Sequence, residues 1–185
     1  MSPVQTNRYL LAVFALIVVF IPQAAPAEQP LSDKAKKTIV YQMYADYKKE
    51  FPEVKDISPR EAMALLSKNN VVFVDTREQA ERAVSKLPQS ITQADFLKNP
   101  RQFKDKKVIG YCTISYRSGL FARELASRGV TLYNLQGGVL AWVLEGGKVY
   151  DEQGETKRIH VYSEKWNYAP NGYEAVMFGF WDRIF

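Results

Sequence analysis

The sequence predicts an α/β fold, with a central, mostly parallel sheet flanked by helices on both faces. Three features carry that expectation. Short apolar, β-branched runs recur: "VVFVDT" at 71–76, "KVIGYC" at 107–112 and "TLYNL" at 131–135. Continuous runs of this length read as strands buried on both faces. Helical patterns alternate with them, which implies parallel strands joined by right-handed crossovers. Asn69-Asn70, Gly129 and Gly146-Gly147 fall where the helices must stop.

Taken in order, the chain opens with "MSPVQTNRY", which carries a single charge at Arg8, and an apolar run from Tyr9 to Ile21. Ala25-Pro26-Ala27 then has the small-residue pattern of a cleavage site. The order is that of a secretory signal, residues 1–27, and the run is short against the ~20 residues of a membrane-spanning helix. The expectation is an exported, periplasmic protein. The alternative is an uncleaved N-terminal segment that anchors it. Residues 28–54 form an N-terminal helical extension: Ser32 and Asp33 can cap, Ile39, Val40, Met43, Tyr44 and Tyr47 recur at helical spacing, and Pro52 ends the run.

The main domain is assigned to 55–150. In "ISPREAMALL", Ser58 caps, Pro59 takes the first helical position and Glu61 completes a capping box. After the first long strand, residues 77–103 alternate short helical and loop signals. In the helix after "KVIGYC", Leu120, Phe121, Leu125 and Ala126 are expected to face inward. The third run is followed by "VLAWVLEGG", a helix ending at the glycine pair. Residues 151–185 are an aromatic-rich C-terminal extension. Two readings stay open for it: aromatics packed on the domain and the N-terminal helix, or a membrane-surface or partner contact.

Bulk composition narrows the function. With 185 residues, 46% hydrophobic and 24% charged, the chain suits one ordinary folded domain. The net charge of +5 is spread among acids without a basic, aromatic-interleaved stripe, so nucleic acid is not an expected partner. One His and one Cys cannot make a usual zinc site, no nucleotide-phosphate loop appears, and no cofactor is expected.

The one cysteine, Cys112, has no partner for an internal disulfide. It ends a buried strand, and a helix begins at about Arg117 or Ser118. The loop between them lies at the carboxyl edge of a parallel sheet, where such folds bind ligands. Backbone N–H groups converging there, with the helix N-terminus behind them, form an anion nest that favours a thiolate. Thr113, Ser115 and Ser118 add hydroxyls, and Arg117 adds a fork of charged donors. On this pattern alone, Cys112 is either a nucleophile or a buried structural thiol.

The flanking motifs resemble those of the rhodanese-like sulfurtransferases from about Ile57 to Tyr150. "VVFVDTREQAE" resembles the first-strand motif through Asp75, Arg77 and Glu81, and "SKLPQSI" the second through Pro88 and Ile91. "YCTISYRSG" resembles the active-site loop, Cys112 first and Arg117 last. "LQGGVLAWVLEGG" resembles the closing motif through Leu135, Gly137, Gly138, Ala141, Trp142 and Gly146.

The resemblance implies a three-layer fold and a Cys112 that accepts sulfane sulfur from a small sulfur-containing anion such as thiosulfate. It implies onward transfer to a thiol or cyanide acceptor, with Thr113, Ile114, Ser115, Tyr116, Arg117 and Ser118 lining the substrate. Arg77 is a secondary candidate. Asp75 and Arg77 read first as a structural ion pair, Trp142 as core and His160 as a structural hydrogen bonder. For Arg117 two roles stay open, donor binding and loop fixing. Two other functions are weighed against transfer. One is a non-catalytic binding module. The other is a phosphatase or arsenate-reductase-type enzyme, whose loops run one residue longer than the six of Cys112–Arg117. Ser115 stands where the family often has glycine, and Lys86 and Gln89 replace the usual histidine and glycine of the second motif.

Overall fold

The computed structural model describes residues 30–179, so the expected signal segment, 1–27, lies outside the described residues. The elements run α1 (Asp33–Lys48), β1 (Asp56–Ile57), α2 (Pro59–Leu66), β2 (Val71–Asp75), α3 (Gln79–Val84), β3 (Ser90–Thr92) and α4 (Gln93–Lys98). A 3-10 turn leads to β4 (Lys107–Tyr111), α5 (Tyr116–Ser127), β5 (Tyr133–Leu135), α6 (Gly138–Leu144), β6 (Val149–Tyr150), β7 (Glu155–Thr156), β8 (Arg158–His160) and, after a second 3-10 turn, β9 (Glu174–Val176). Among the described residues no helix is long and apolar enough to cross a membrane.

The main sheet has the order β1-β5-β4-β2-β3, and every pairing in it is parallel. Strand β2 shows why the sheet carries helices on both sides. All five of its residues are buried, Val71 and Phe73 toward one core and Val72 and Val74 toward the other. The first core joins α2 and α6 through Ala62, Leu140 and Trp142. The second joins α4 and α5 through Phe96, Phe121 and Leu125. The two-residue alternation of a strand thus produces the three layers.

Local chemistry sets the helix ends. Ser58 and Glu61 complete the reciprocal capping box of α2 behind Pro59. Gly129 follows α5 with φ +75°, and Gly110 lets Leu132 close onto β4. The inward face of α5 differs from expectation: Ser118, Gly119, Phe121, Ala122 and Leu125 are buried, and Ala126 is exposed. The helix starts at Tyr116, and positions 118, 121, 122 and 125 form the i, i+3, i+4, i+7 stripe that meets the sheet.

Both flanking segments build on this body. From α1, Val40 is buried in the first core and Tyr44 in the second, and Phe51 follows with its ring against Gly119. A Cβ at Gly119 would lie within 2.3 Å of that ring. From the C-terminal segment, Ile159 and Val161 are fully buried, and β8 pairs in parallel with β9.

Candidate active site

The loop after β4 emerges from the middle of the sheet, and helix α6 shapes it from behind. Val139 N–H donates to the Cys112 carbonyl at 3.0 Å, and Leu140 N–H to the Thr113 carbonyl at 3.2 Å. Gly138 makes this approach feasible. A Cβ there would lie 2.3 Å from the Cys112 carbonyl oxygen, and φ is +58°, so both contact and conformation call for glycine. Once those carbonyls are engaged, the chain turns over at Ser115, whose N–H donates to Cys112 Sγ at 3.1 Å. Helix α5 starts at the next residue and adds the positive end of its dipole.

Ser115 sits in the left-handed region, φ 68° and ψ 25°. A side chain in that region costs about 1 kcal/mol or more relative to glycine. A buried polar network holds the strained turn. Asn134 Nδ2 donates to the Ser115 carbonyl at 3.0 Å and to Tyr44 Oη at 3.1 Å, and its Oδ1 accepts from Ser118 Oγ at 2.7 Å. Tyr44 in turn donates to Asp56 at 2.7 Å. Burial first, then this bond to Asp56, drives the Tyr44 phenol well above its ordinary range.

Arg117 closes the loop by pairing bidentately with Glu81 of α3, both bonds at 2.8 Å. His160 Nδ1 lies 3.1 Å from the same carboxylate, within ion-pair range but off the line of a good hydrogen bond. Glu81 also accepts the Glu78 N–H at 2.9 Å. Burial alone would push the Glu81 carboxyl up. His160, Arg117 and Glu78 outweigh it and hold the group well below the usual carboxylate range. For Arg117 burial works against the charge, and Glu81 and Cys112 together keep it firmly protonated.

The structure distributes the other sequence-derived candidates unevenly. Thr113 is buried, and its Oγ1, like Ser115 Oγ, has no hydrogen-bond partner among the described residues. Ile114 points into the core that holds Phe73 and Trp142, so only its backbone faces the loop. Tyr116 donates to Glu50 at 2.9 Å, and Ser118 is committed to Asn134. Arg77 lies in a separate buried cluster. It pairs with Asp75 through two bonds of 2.9 and 2.7 Å and donates to the Ser85 carbonyl. Tyr111 donates to the same Asp75 oxygen, Oδ2, at 2.5 Å. No group of acids, His and Cys suited to a metal ion occurs among the described residues.

Sequence reasoning did not single out Asn134, Tyr47, Tyr162 or Trp166, nor Glu81 as a junction. A polar residue inside the buried run "YNL" was the available signal for Asn134. The aromatics carried none, because Tyr47 precedes the main domain and Tyr162 and Trp166 follow it.

 Trp166 stands 119 positions after Tyr47, so only the folded chain unites them.

Residues 58–145 match the family described as "Rhodanese-like domain". Two curated relatives are each 32% identical to this chain. One is a tRNA sulfurtransferase of Desulfurococcus amylolyticus, over 59% of this chain and 23% of that protein. The other is an uncharacterized protein of Synechocystis sp., over 49% of this chain and 52% of that protein. The chain therefore spans about a quarter and about half of the lengths of these relatives. A solved structure of a rhodanese-related protein from Thermoplasma volcanium is 23% identical, with a TM-score of 0.46, and covers 53% of this chain and 99% of its own. With its three-layer α/β body and the matched span running from the cap of α2 through α6, the chain carries a rhodanese-like domain.

Proposed function

We propose that the protein is a sulfurtransferase that carries sulfane sulfur on Cys112. The observation that supports this most is the Ser115 N–H directed at Cys112 Sγ at 3.1 Å, in a loop that opens helix α5. This is an environment for an anionic sulfur, and it requires no general base. In the first half-reaction the Cys112 thiolate attacks the outer sulfur of thiosulfate. The new S–S bond forms as the old one breaks, and sulfite leaves with the electron pair. In the second, cyanide or a thiolate attacks the outer sulfur of the Cys112 persulfide. Thiocyanate or an acceptor persulfide departs, and the Cys112 thiolate returns. The unpartnered Thr113 and Ser115 hydroxyls are available to the added sulfur.

Thiosulfate-to-cyanide transfer by the wild type, lost in Cys112→Ser, is the expected result. Absence of both turnover and persulfide would leave the second reading, a rhodanese-fold binding module. That reading draws its support from the burial of Cys112, which is 2% exposed. Export belongs to the same proposal: the mature protein should begin at Glu28, as read by N-terminal sequencing, and retention of residues 1–27 would support the anchored alternative.

A further inference from the structure

Cys112 to Ser115 are all buried, and Tyr116 and Arg117 after them are half-buried. Aromatic side chains from outside the matched span 58–145, Tyr47, Tyr162 and Trp166, form a row against Tyr116 and Arg117. Tyr47 of α1 packs on Tyr116, ring centroids 5.0 Å apart, and stacks on Trp166 at 6.0 Å with an interplanar angle of 5°. Trp166 meets Tyr162 edge-on at 6.2 Å, and the Tyr162 ring lies 5.3 Å from the guanidinium of Arg117. The row therefore links Tyr116 to Arg117, the first two residues of α5. Burial raises the phenols of both Tyr47 and Tyr162.

The segment that supplies the row is fixed at its ends. At one end His160 lies against Glu81 and stacks on Phe178 at 4.3 Å. At the other, Lys36 donates to the Ala169 carbonyl at 2.7 Å, and Asp33 accepts the Asn171 N–H at 2.7 Å. Between these ties Tyr162 and Trp166 are half-buried and joined to each other, to Tyr47 and to Arg117 by ring contacts. Ring contacts yield to local opening more readily than buried strand pairs do.

We infer that Tyr162 and Trp166, closing over Tyr47, are specificity-determining residues that set the size of the reagent able to reach Cys112. Given the sulfurtransferase reading on which this rests, slim acceptors such as cyanide or a thiol on a narrow arm are admitted, and bulky thiols are held off until the row parts. The aromatic sides supply the discrimination by shape, so the phenol hydroxyl of Tyr162 is not required for it.

Alkylation of Cys112 tests this without relying on sulfur transfer. Rates are measured by intact mass with iodoacetamide and with a pyrene maleimide, each normalised to the same reagent acting on the denatured protein. In the wild type the normalised rate with the bulky reagent should be at least about tenfold lower. In Tyr162→Ala and in Trp166→Ala the two normalised rates should converge, and Tyr162→Phe should keep the wild-type ratio. Near-equal normalised rates in the wild type would overturn the inference. So would an unchanged ratio in whichever alanine variants keep a cooperative thermal transition. A protein that takes up no sulfur from thiosulfate yet shows the expected size ratios would refute the sulfurtransferase reading and leave the access role standing.

Discussion

Ser115 concentrates the tension within the site. Its φ of 68° is a glycine conformation, and its Oγ is buried without a partner among the described residues. Both features cost stability, so Ser115→Gly should raise it by up to about 1 kcal/mol. The check is a higher urea midpoint with an unchanged slope. A loss of stability would mean that the hydroxyl makes a bond worth more than the strain. Glu81 has the opposite character, since its charge is what the surroundings stabilise. Its carboxyl is held below the ordinary value of 4.5. Its contribution is therefore complete above that pH and is lost as pH falls toward the folded value. The wild type should lose stability progressively below pH 4.5. Glu81→Gln should cost about 2–3 kcal/mol at neutral pH, because a partly exposed Arg117 is left unpaired, and should then show a shallower acid slope. Equal acid slopes would assign the sensitivity to other carboxylates.

At the scale of elements, the flanking segments complete the domain. Phe51 lies outside the matched span, yet its ring is fully buried against Gly119 of α5, the helix whose N-terminus opens the site. Phe51→Ala should cost about 3–5 kcal/mol, measured by denaturant unfolding. A cost below about 1 kcal/mol would show that the extension is only loosely applied. The elements best read from sequence were those with local causes. These include the Ser58–Glu61 capping box, the buried run Val71–Asp75 and the Gly129 stop. Two-residue β1 and the β8–β9 pair escaped notice because their stability comes from distant partners, Asn134 and Leu135 for β1. The second-motif departures gain a physical account here. Gln89 adopts φ 54°, which explains why glycine suits that position, and Lys86 bonds to Tyr150 through its backbone, so its side chain is free to vary.

Across the whole molecule, the sequence placed Cys112 at the carboxyl end of a central parallel strand, since that follows from strand-then-helix order around it. The side chains that reach the Cys112 loop from other elements were not legible. The Arg117–Glu81–His160 junction and the aromatic row join α3, α5, α1 and the C-terminal segment, and no periodicity reports such contacts. The expectation that the tail packs its aromatics on the domain and the N-terminal helix agrees with Trp166 stacked on Tyr47. The proposed picture is a Cys112 loop that holds an anionic sulfur at the carboxyl end of the central strand, with Tyr47 and Tyr162 of the two extensions against Tyr116 and Arg117. Intact mass after incubation with thiosulfate tests that picture most directly. The wild type should gain a single sulfur, removed again by cyanide, and Cys112→Ser should gain none. A wild type whose mass stays unchanged, or a Cys112→Ser variant that gains the same sulfur, would contradict it.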